Sequence, residues 1–282
     1  MIIRPIPTIT TSILLASCSL FLAACSSDSE DSNSSNIGGS ACAAIGYGKT
    51  AKVVNGDQCP ITSTGDTSSV VQLEILSRGS PAGVCTGTVI SPTAVLTAAH
   101  CFIGSDRAAN VVTTTNGSRQ TVRSRSVSIH PGFTVNGDSV MINDVAVIRT
   151  ASTMSAPATP ILLRRDAQTG EEAVVAGYGQ TSSDSPTPDD VYAGYAVVRS
   201  VTDNHIRIDF KSNEAHPCRG DSGGALLLEE GGLAIAGVVS QSDPSVPADT
   251  ICEVGDKTLY TSMQNSSVSS FVLSVAPDAA VR

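Results

Sequence analysis

Tryptophan is absent from the 282 residues, and the aromatic complement is five Phe and five Tyr. Charge is sparse as well, at 15% of residues, and unbalanced: 17 Lys and Arg stand against 26 Asp and Glu, a net charge of −9. A chain this acidic lacks the basic footprint that grips phosphate backbones, so nucleic acid drops out of the expected partners. No two cysteines are spaced C-x-x-C, which removes zinc-ribbon and thioredoxin-type motifs. Glycine (24) and proline (14) sit at ordinary levels, so collagen-like and low-complexity classes are out. What remains is a 41% hydrophobic chain, long enough for one large domain or two modest ones. Its eight cysteines suit a modest disulfide set in an oxidising compartment.

The N-terminus reads as an address. Arg4 precedes an apolar run from Ile13 to Ala24. Twelve helical residues rise about 18 Å, short of a hydrocarbon core of about 30 Å, so residues 1–24 fit a signal peptide better than a membrane span. The run ends in Leu22-Ala23-Ala24-Cys25, which resembles the lipobox of bacterial lipoproteins; Leu15-Ala16-Ser17-Cys18 also fits the pattern, but lipidation there would leave an apolar segment behind. By that resemblance Cys25 is acylated and becomes the mature N-terminus. Ser26 in place of Asp then points to the cell envelope, at an outer membrane facing the periplasm or the exterior, or to secretion. Residues 26–40 (SSDSEDSNSSNIGGS) cannot bury apolar surface and form a solvated linker, so residues 25–52 read as linker and pro-segment.

From Val53 onward the chain changes character. Short apolar, β-branched runs such as VVQLEI (70–75), VTTT (112–115), AVVAG (173–177) and AIAGVV (234–239) are split by turns such as Asn116-Gly117 and Asn136-Gly137. Many short strands at this spacing predict an all-β barrel or sandwich. Helical periodicity is confined to Met263–Val275.

Three segments bear chemistry: TAAHC at 97–101, NDVAVI at 143–148 and CRGDSGG at 218–224. A serine hydroxyl is a poor nucleophile until an imidazole takes its proton, and the imidazole needs a carboxylate to fix its tautomer. Chain order then sorts the possible folds. Gly220-Asp221-Ser222-Gly223-Gly224 satisfies G-x-S-x-G, but an α/β-hydrolase places its histidine after the serine. The histidines are His100, His130, His205 and His216, all before Ser222, so that reading fails. An acid–His–Ser order would draw on Asp57 or Asp66, whose polar, turn-rich settings do not match the subtilisin motif. The order His, Asp, Ser remains.

TAAHC, NDVAVI and GDSGG in this order resemble the chymotrypsin/trypsin family of serine proteases, over residues 53–282. The resemblance implies two six-stranded antiparallel Greek-key β-barrels with a short C-terminal helix. Barrel one would span about residues 53–160 and barrel two about 161–282, with the cleft between them. It implies Ser222 as nucleophile, His100 as general base and then acid, and Asp144 as the orienting carboxylate, with the N–H groups of Gly220 and Ser222 forming the oxyanion hole. The implied disulfides are Cys85–Cys101 and Cys218–Cys252. His130, in IHPGF, matches a structural turn, and His205, in the strand-like NHIRIDF, reads as a surface residue.

The family is made as zymogens. Lys52-Val53-Val54-Asn55-Gly56 resembles the activation site, with Asn55 where a glycine is usual, and the ammonium of a new N-terminal Val53 would pair with Asp221. In relatives the cysteine at the Cys59 position pairs with one in barrel two that this chain lacks. A Cys42–Cys59 bridge is the resulting expectation, and it would keep the lipidated segment attached after cleavage. At the specificity pocket, His216 occupies the position of the trypsin-like Asp, Ser240-Gln241-Ser242 forms the wall, and Thr258 replaces a pocket glycine. Cleavage after Lys or Arg is therefore not expected, and an acidic or small polar residue is. The segment after His100 has a single acid before Gln120, Asp106, too few oxygen ligands for calcium, so neither metal nor cofactor is predicted. Arg119, Arg123 and Arg125 read as one charged strand face. The function implied is a monomeric, lipid-anchored serine endopeptidase acting on protein or peptide substrates after an activating protease has cut. The alternative is a non-catalytic homologue that binds a partner in the same cleft.

Overall fold

Burial explains why so many strand segments are continuously apolar rather than alternating. The computed structural model describes residues 41–45, 55–59, 68–115 and 118–282. The signal-like segment, Cys25, Lys52, Val53 and the Asn116-Gly117 turn lie outside the described residues. A one-turn helix α1 (Ala41–Ala44) and a short strand β1 (Asp57–Gln58) come first. Then follow β2 (Val70–Ser77), β3 (Ser80–Ser91), β4 (Ala94–Thr97), β5 (Ala109–Thr115), β6 (Ser118–Ile129), β7 (Thr134–Val135), β8 (Met141–Ile142) and β9 (Ala146–Thr150). The second half holds β10 (Glu172–Gly177), β11 (Tyr192–Val201), β12 (His205–Asp209), β13 (Ala225–Glu229), β14 (Leu233–Ser242), β15 (Lys257–Ser262) and the helix α2 (Ser266–Val275).

The strands form two closed antiparallel barrels. In the first the order is β2-β3-β4-β9-β6-β5, closed by the β5–β2 pair. In the second it is β11-β10-β13-β14-β15-β12, closed by β11–β12, with β1 paired to the start of β11. Successive side chains on a strand point to opposite faces, and here both faces are covered. Val71, Leu73 and Ile75 of β2, with Ala146 and Ile148 of β9, fill barrel one. Ala173 and Val175 of β10, with Leu226 and Leu228 of β13, fill barrel two. The alternate residues Val147, Val174, Ala176, Ala225 and Leu227 pack into a third core between the barrels. An interface built this way holds the cleft walls rigidly, since each fully buried Val or Leu contributes about 1.5–3 kcal/mol.

The C-terminal helix starts three residues later than its periodicity suggests. Met263 still donates its N–H to Ala236 O (2.9 Å), extending the sheet, and Asn265 then caps the helix by accepting from the Ser267 N–H (2.9 Å). Val268 and Val272, one helical turn apart, bury against the inter-barrel core. Three disulfides brace the fold, Cys42–Cys59, Cys85–Cys101 and Cys218–Cys252. The first ties α1 to the segment bearing β1, and Ala41, Cys42 and Ile45 are buried there. Asn55 lies in the left-handed region (φ 56°), where a glycine or Asn is tolerated, and its side chain donates to Ser212 O (3.0 Å). On β6 the side chains of Arg119, Arg123 and Arg125 are exposed, and Arg119 pairs with Asp189 (2.7 Å).

Candidate active site

His100 opens a one-turn 3-10 helix three residues after the end of β4, and Asp144 precedes β9. Asn143, at φ 53°, turns the chain so that the next side chain points inward. Asp144 is fully buried, and a buried carboxylate is tolerable only when its oxygens are satisfied. One oxygen accepts the His100 backbone N–H at 2.8 Å; the other meets His100 Nδ1 at 2.7 Å and accepts the Ser240 hydroxyl at 2.6 Å. A carboxylate at Nδ1 requires the proton there, which leaves Nε2 with its lone pair.

Ser240 reaches Asp144 because of a bulge. On β14, Val239 pairs with Tyr260 and Gln241 with Leu259, so Ser240 is the extra residue and is turned out of the ladder. Thr261 of β15 also donates its hydroxyl to the Asp144 carbonyl (3.1 Å). The two loops carrying His100 and Asp144 belong to barrel one, and the hydroxyls that hold the carboxylate belong to barrel two.

Further holds on this loop were not visible in the sequence. His205, expected at the surface, is buried, and its Nε2 lies 2.8 Å from Met141 O. Burial pushes its imidazole below the ordinary histidine range. Gln241 accepts the Met141 N–H (2.6 Å) and donates to Ser139 O (3.1 Å). β12 closes barrel two beside the Asp144 loop, which is why a residue with an ordinary strand pattern faces inward there. His130 is buried in its turn, with Gly132 N–H donating to Nδ1 (3.0 Å) and its ring edge-on to Phe271.

Ser222 sits in the turn before β13, between Gly220 (φ 102°) and Gly223 (φ 86°). The peptide units around it are fixed by their carbonyls. Arg219 O accepts from Gln180 N–H (2.8 Å) and Asp221 O from Gly224 N–H (2.8 Å). In a planar trans peptide the N–H points opposite to the C=O. Those two bonds therefore fix the direction of the Gly220 and the Ser222 N–H, each opposite its own peptide's anchored carbonyl. The intervening Asp221 side chain is buried and accepts the N–H groups of Gly179 (2.8 Å) and Cys218 (2.9 Å). Burial pushes its carboxyl up to about 6. A Cβ at position 179 would stand 2.3 Å from Asp221 Oδ2, so the approach depends on glycine.

A cavity of about 340 Å³ adjoins Ser222, lined among others by Arg219, Val239, Ser240, Ser242, Ile251 and Thr258. His216 does not line it. The imidazole is fully buried, stacked on Phe210 with ring centroids 4.9 Å apart, and its Nε2 faces the Thr258 hydroxyl at 3.0 Å. Burial pushes it down to about 4, which leaves it neutral near pH 7. Its Nδ1 lies 3.9 Å from the buried Asp256 carboxylate, beyond hydrogen-bond reach. Asp256 instead accepts from Cys252 N–H and Lys257 N–H. Gln241 and Ser242 stand on the wall of the cavity.

The Trypsin family profile matches residues 53–254, which include all three motif segments. The chain belongs to the trypsin family. It is similar to a trypsin of Sus scrofa, with 27% identity over 170 residues that cover 54% of this chain and 72% of that one. It is similar also to Trypsin II-P29 of Gallus gallus, at 30% over 207 residues, covering 67% of this chain and 79% of that one. A urokinase-type plasminogen activator of Gallus gallus shows 25% identity over 240 residues, 72% of this chain and 54% of that one. The family match itself spans residues of both barrels, and identities of 25–30% leave the pocket free to differ.

Proposed function

We propose that this chain is a serine endopeptidase that hydrolyses peptide bonds through an acyl-enzyme on Ser222. The observation that carries the reading is the His100–Asp144 pair, Nδ1 to Oδ2 at 2.7 Å with the carboxylate wholly buried, in a trypsin-family chain that retains Ser222 in the glycine-flanked turn Gly220–Gly224. Ser222 Oγ attacks the substrate carbonyl carbon while His100 Nε2 takes its proton. Asp144 stabilises the imidazolium that forms. The carbonyl oxygen, now an anion, is received by the N–H groups of Gly220 and Ser222, and loss of one such donor typically costs about 10²–10³ in rate. The imidazolium then protonates the departing amine, and water, deprotonated by the same imidazole, releases the acid and restores Ser222.

Cleavage after Lys52 is the activating step in this reading. It frees Val53, whose ammonium pairs with Asp221. A carboxyl raised to about 6 by burial is a group that gains from such a partner. Acylation at Cys25 anchors the precursor to a membrane of the cell envelope, and protein or peptide substrates are met there.

Covalent labelling by an organophosphonate tests the reading. The Lys52-cleaved enzyme incorporates one equivalent, and Ser222→Ala incorporates none. An enzyme cleaved at Lys52 that takes up no label would instead be a binding module using the same cleft.

A further inference from the structure

On β3 the side chain after Cys85 faces away from the barrel-one interior, toward barrel two. That residue is Thr86, fully buried, and two of its bonds reach the turn holding Ser222. Its N–H donates to Ser222 O (2.8 Å) and its hydroxyl donates to Gly220 O (2.9 Å). The same hydroxyl oxygen accepts the Tyr178 N–H (3.0 Å), one residue before the Gly179 N–H that binds Asp221. Thr86 O in turn accepts the Thr97 hydroxyl (2.8 Å), three residues before His100. The side chain fits because its neighbours lack Cβ atoms: one at Gly177 would lie 3.0 Å from Thr86 Oγ1 and one at Gly224 3.3 Å from Thr86 Cγ2.

We propose that Thr86 is a positioning residue for the oxyanion hole, acting through its hydroxyl on the Gly220–Asp221 peptide. The inference rests on the reading of Ser222 as the nucleophile. The two peptides that bear the hole's N–H groups, 219–220 and 221–222, flank the one whose carbonyl Thr86 holds. Asp221 N–H donates to Cys218 O at 3.0 Å, so that middle peptide is gripped on both edges. With the hydroxyl gone, its rotation turns both N–H groups out of register with each other, since they share it as a common hinge. The peptide is held from barrel one while the nucleophile belongs to barrel two, so one residue couples the Thr97–His100 side of the cleft to the hole.

Thr86→Val keeps the shape and the backbone N–H and removes only the hydroxyl. Steady-state kinetics and inhibitor affinity of the Lys52-cleaved enzyme read the effect. The expected result is a fall in kcat of about tenfold or more, less than the loss of a whole hole donor, with KM within about twofold. A peptide aldehyde, whose hemiacetal oxygen occupies the hole, loses affinity by the same factor as kcat/KM, whereas a non-reactive peptide of the same sequence does not. Thr86→Ser, which restores the hydroxyl, recovers kcat to within about threefold and guards against a folding defect in the valine variant. Equal losses for aldehyde and unreactive peptide, or a change in Tm with kcat unmoved, overturn the proposal. Organophosphonate labelling of the parent enzyme separates the two claims. A labelled parent with an unaffected valine variant sinks only the role of Thr86, while an unlabelled parent sinks the nucleophile and the role together.

Discussion

The hydroxyl of Ser240, in barrel two, donates to Asp144 Oδ2 in barrel one at 2.6 Å, and the same oxygen meets His100 Nδ1. The carboxylate that orients the imidazole is therefore set from the opposite barrel. Ser240→Ala leaves the bulge backbone in place and removes one charge-assisted hydrogen bond, worth about 1.5–3 kcal/mol. The expected outcome is a fall in kcat of about 10- to 100-fold with organophosphonate labelling slowed to match. Unchanged kinetics would mean that the His100 and backbone donors alone fix Asp144.

Two buried groups make opposite demands on pH. Asp221, raised to about 6, binds its proton more tightly in the folded chain than its ordinary value of 3.8, so its contribution to stability falls as pH rises from about 4 to 6. His216, lowered to about 4 from 6.5, sheds its proton on folding, so its contribution rises with pH over nearly the same window. The two slopes oppose each other in the uncleaved chain. In Asp221→Asn the uncleaved chain should gain stability from pH 4 to 6; in His216→Gln it should lose stability over that range. Urea midpoints at fixed pH check both. Cleavage after Lys52 supplies an ammonium to Asp221 and should by itself remove its falling slope, and a slope unmoved by cleavage would argue against the Val53–Asp221 pair.

The parts of this site legible in sequence were those built by local chain. His100, Asp144 and Ser222 sit in short segments whose order alone discriminates between folds, and continuous apolar runs such as AVVAG become strands buried on both faces. Thr86 was invisible because its role is made by Gly220, 134 residues away. His205 sits in a polar-apolar alternation that reads as surface, yet barrel closure turns it onto Met141, 64 residues away. His216 occupies the pocket position of the family pattern, but Thr258, not His216, lines the cavity, and the imidazole is stacked on Phe210 with Nε2 against the Thr258 hydroxyl, a packing that sequence position does not reveal. Side chains that act across the barrel interface leave no periodic trace.

The Cys42–Cys59 bridge spans the proposed activation site, since the bond after Lys52 falls between two cysteines 17 residues apart. Cutting inside a disulfide loop does not separate the pieces. After cleavage, the N-terminal segment should migrate with the catalytic domain on a non-reducing gel and part from it on a reducing one. The double variant Cys42→Ser with Cys59→Ser should release the domain on cleavage. It should also be less stable by about 3 kcal/mol, as expected for a loop of this length. A wild-type enzyme that sheds its leading segment without reductant would show that cleavage is a release step.

If the chain is the proposed protease, the cavity beside Ser222 decides whether it can cut its own precursor after Lys52. Among the described residues no Asp or Glu lines it; its hydroxyls come from Ser222, Ser240, Ser242 and Thr258, and Arg219 is the charged residue in the lining. A Lys or Arg side chain entering there would bury a cation with no partner, at a cost of several kcal/mol. Asp256 does not line the cavity: it is buried behind Ser242, and its oxygens already accept the Ser242 hydroxyl (3.2 Å) and the N–H groups of Cys252 and Lys257. Peptides with a small polar or acidic residue before the scissile bond should be cut at least about 100-fold faster than those with Arg, as a few kcal/mol of differential binding requires. Lys52 then lies outside the enzyme's own specificity. The Ser222→Ala precursor, incubated with activated enzyme, should remain intact at Lys52 and be cut there by a separate lysine-directed protease. Rapid trans-cleavage after Lys52 by the enzyme itself would overturn this reading of the pocket.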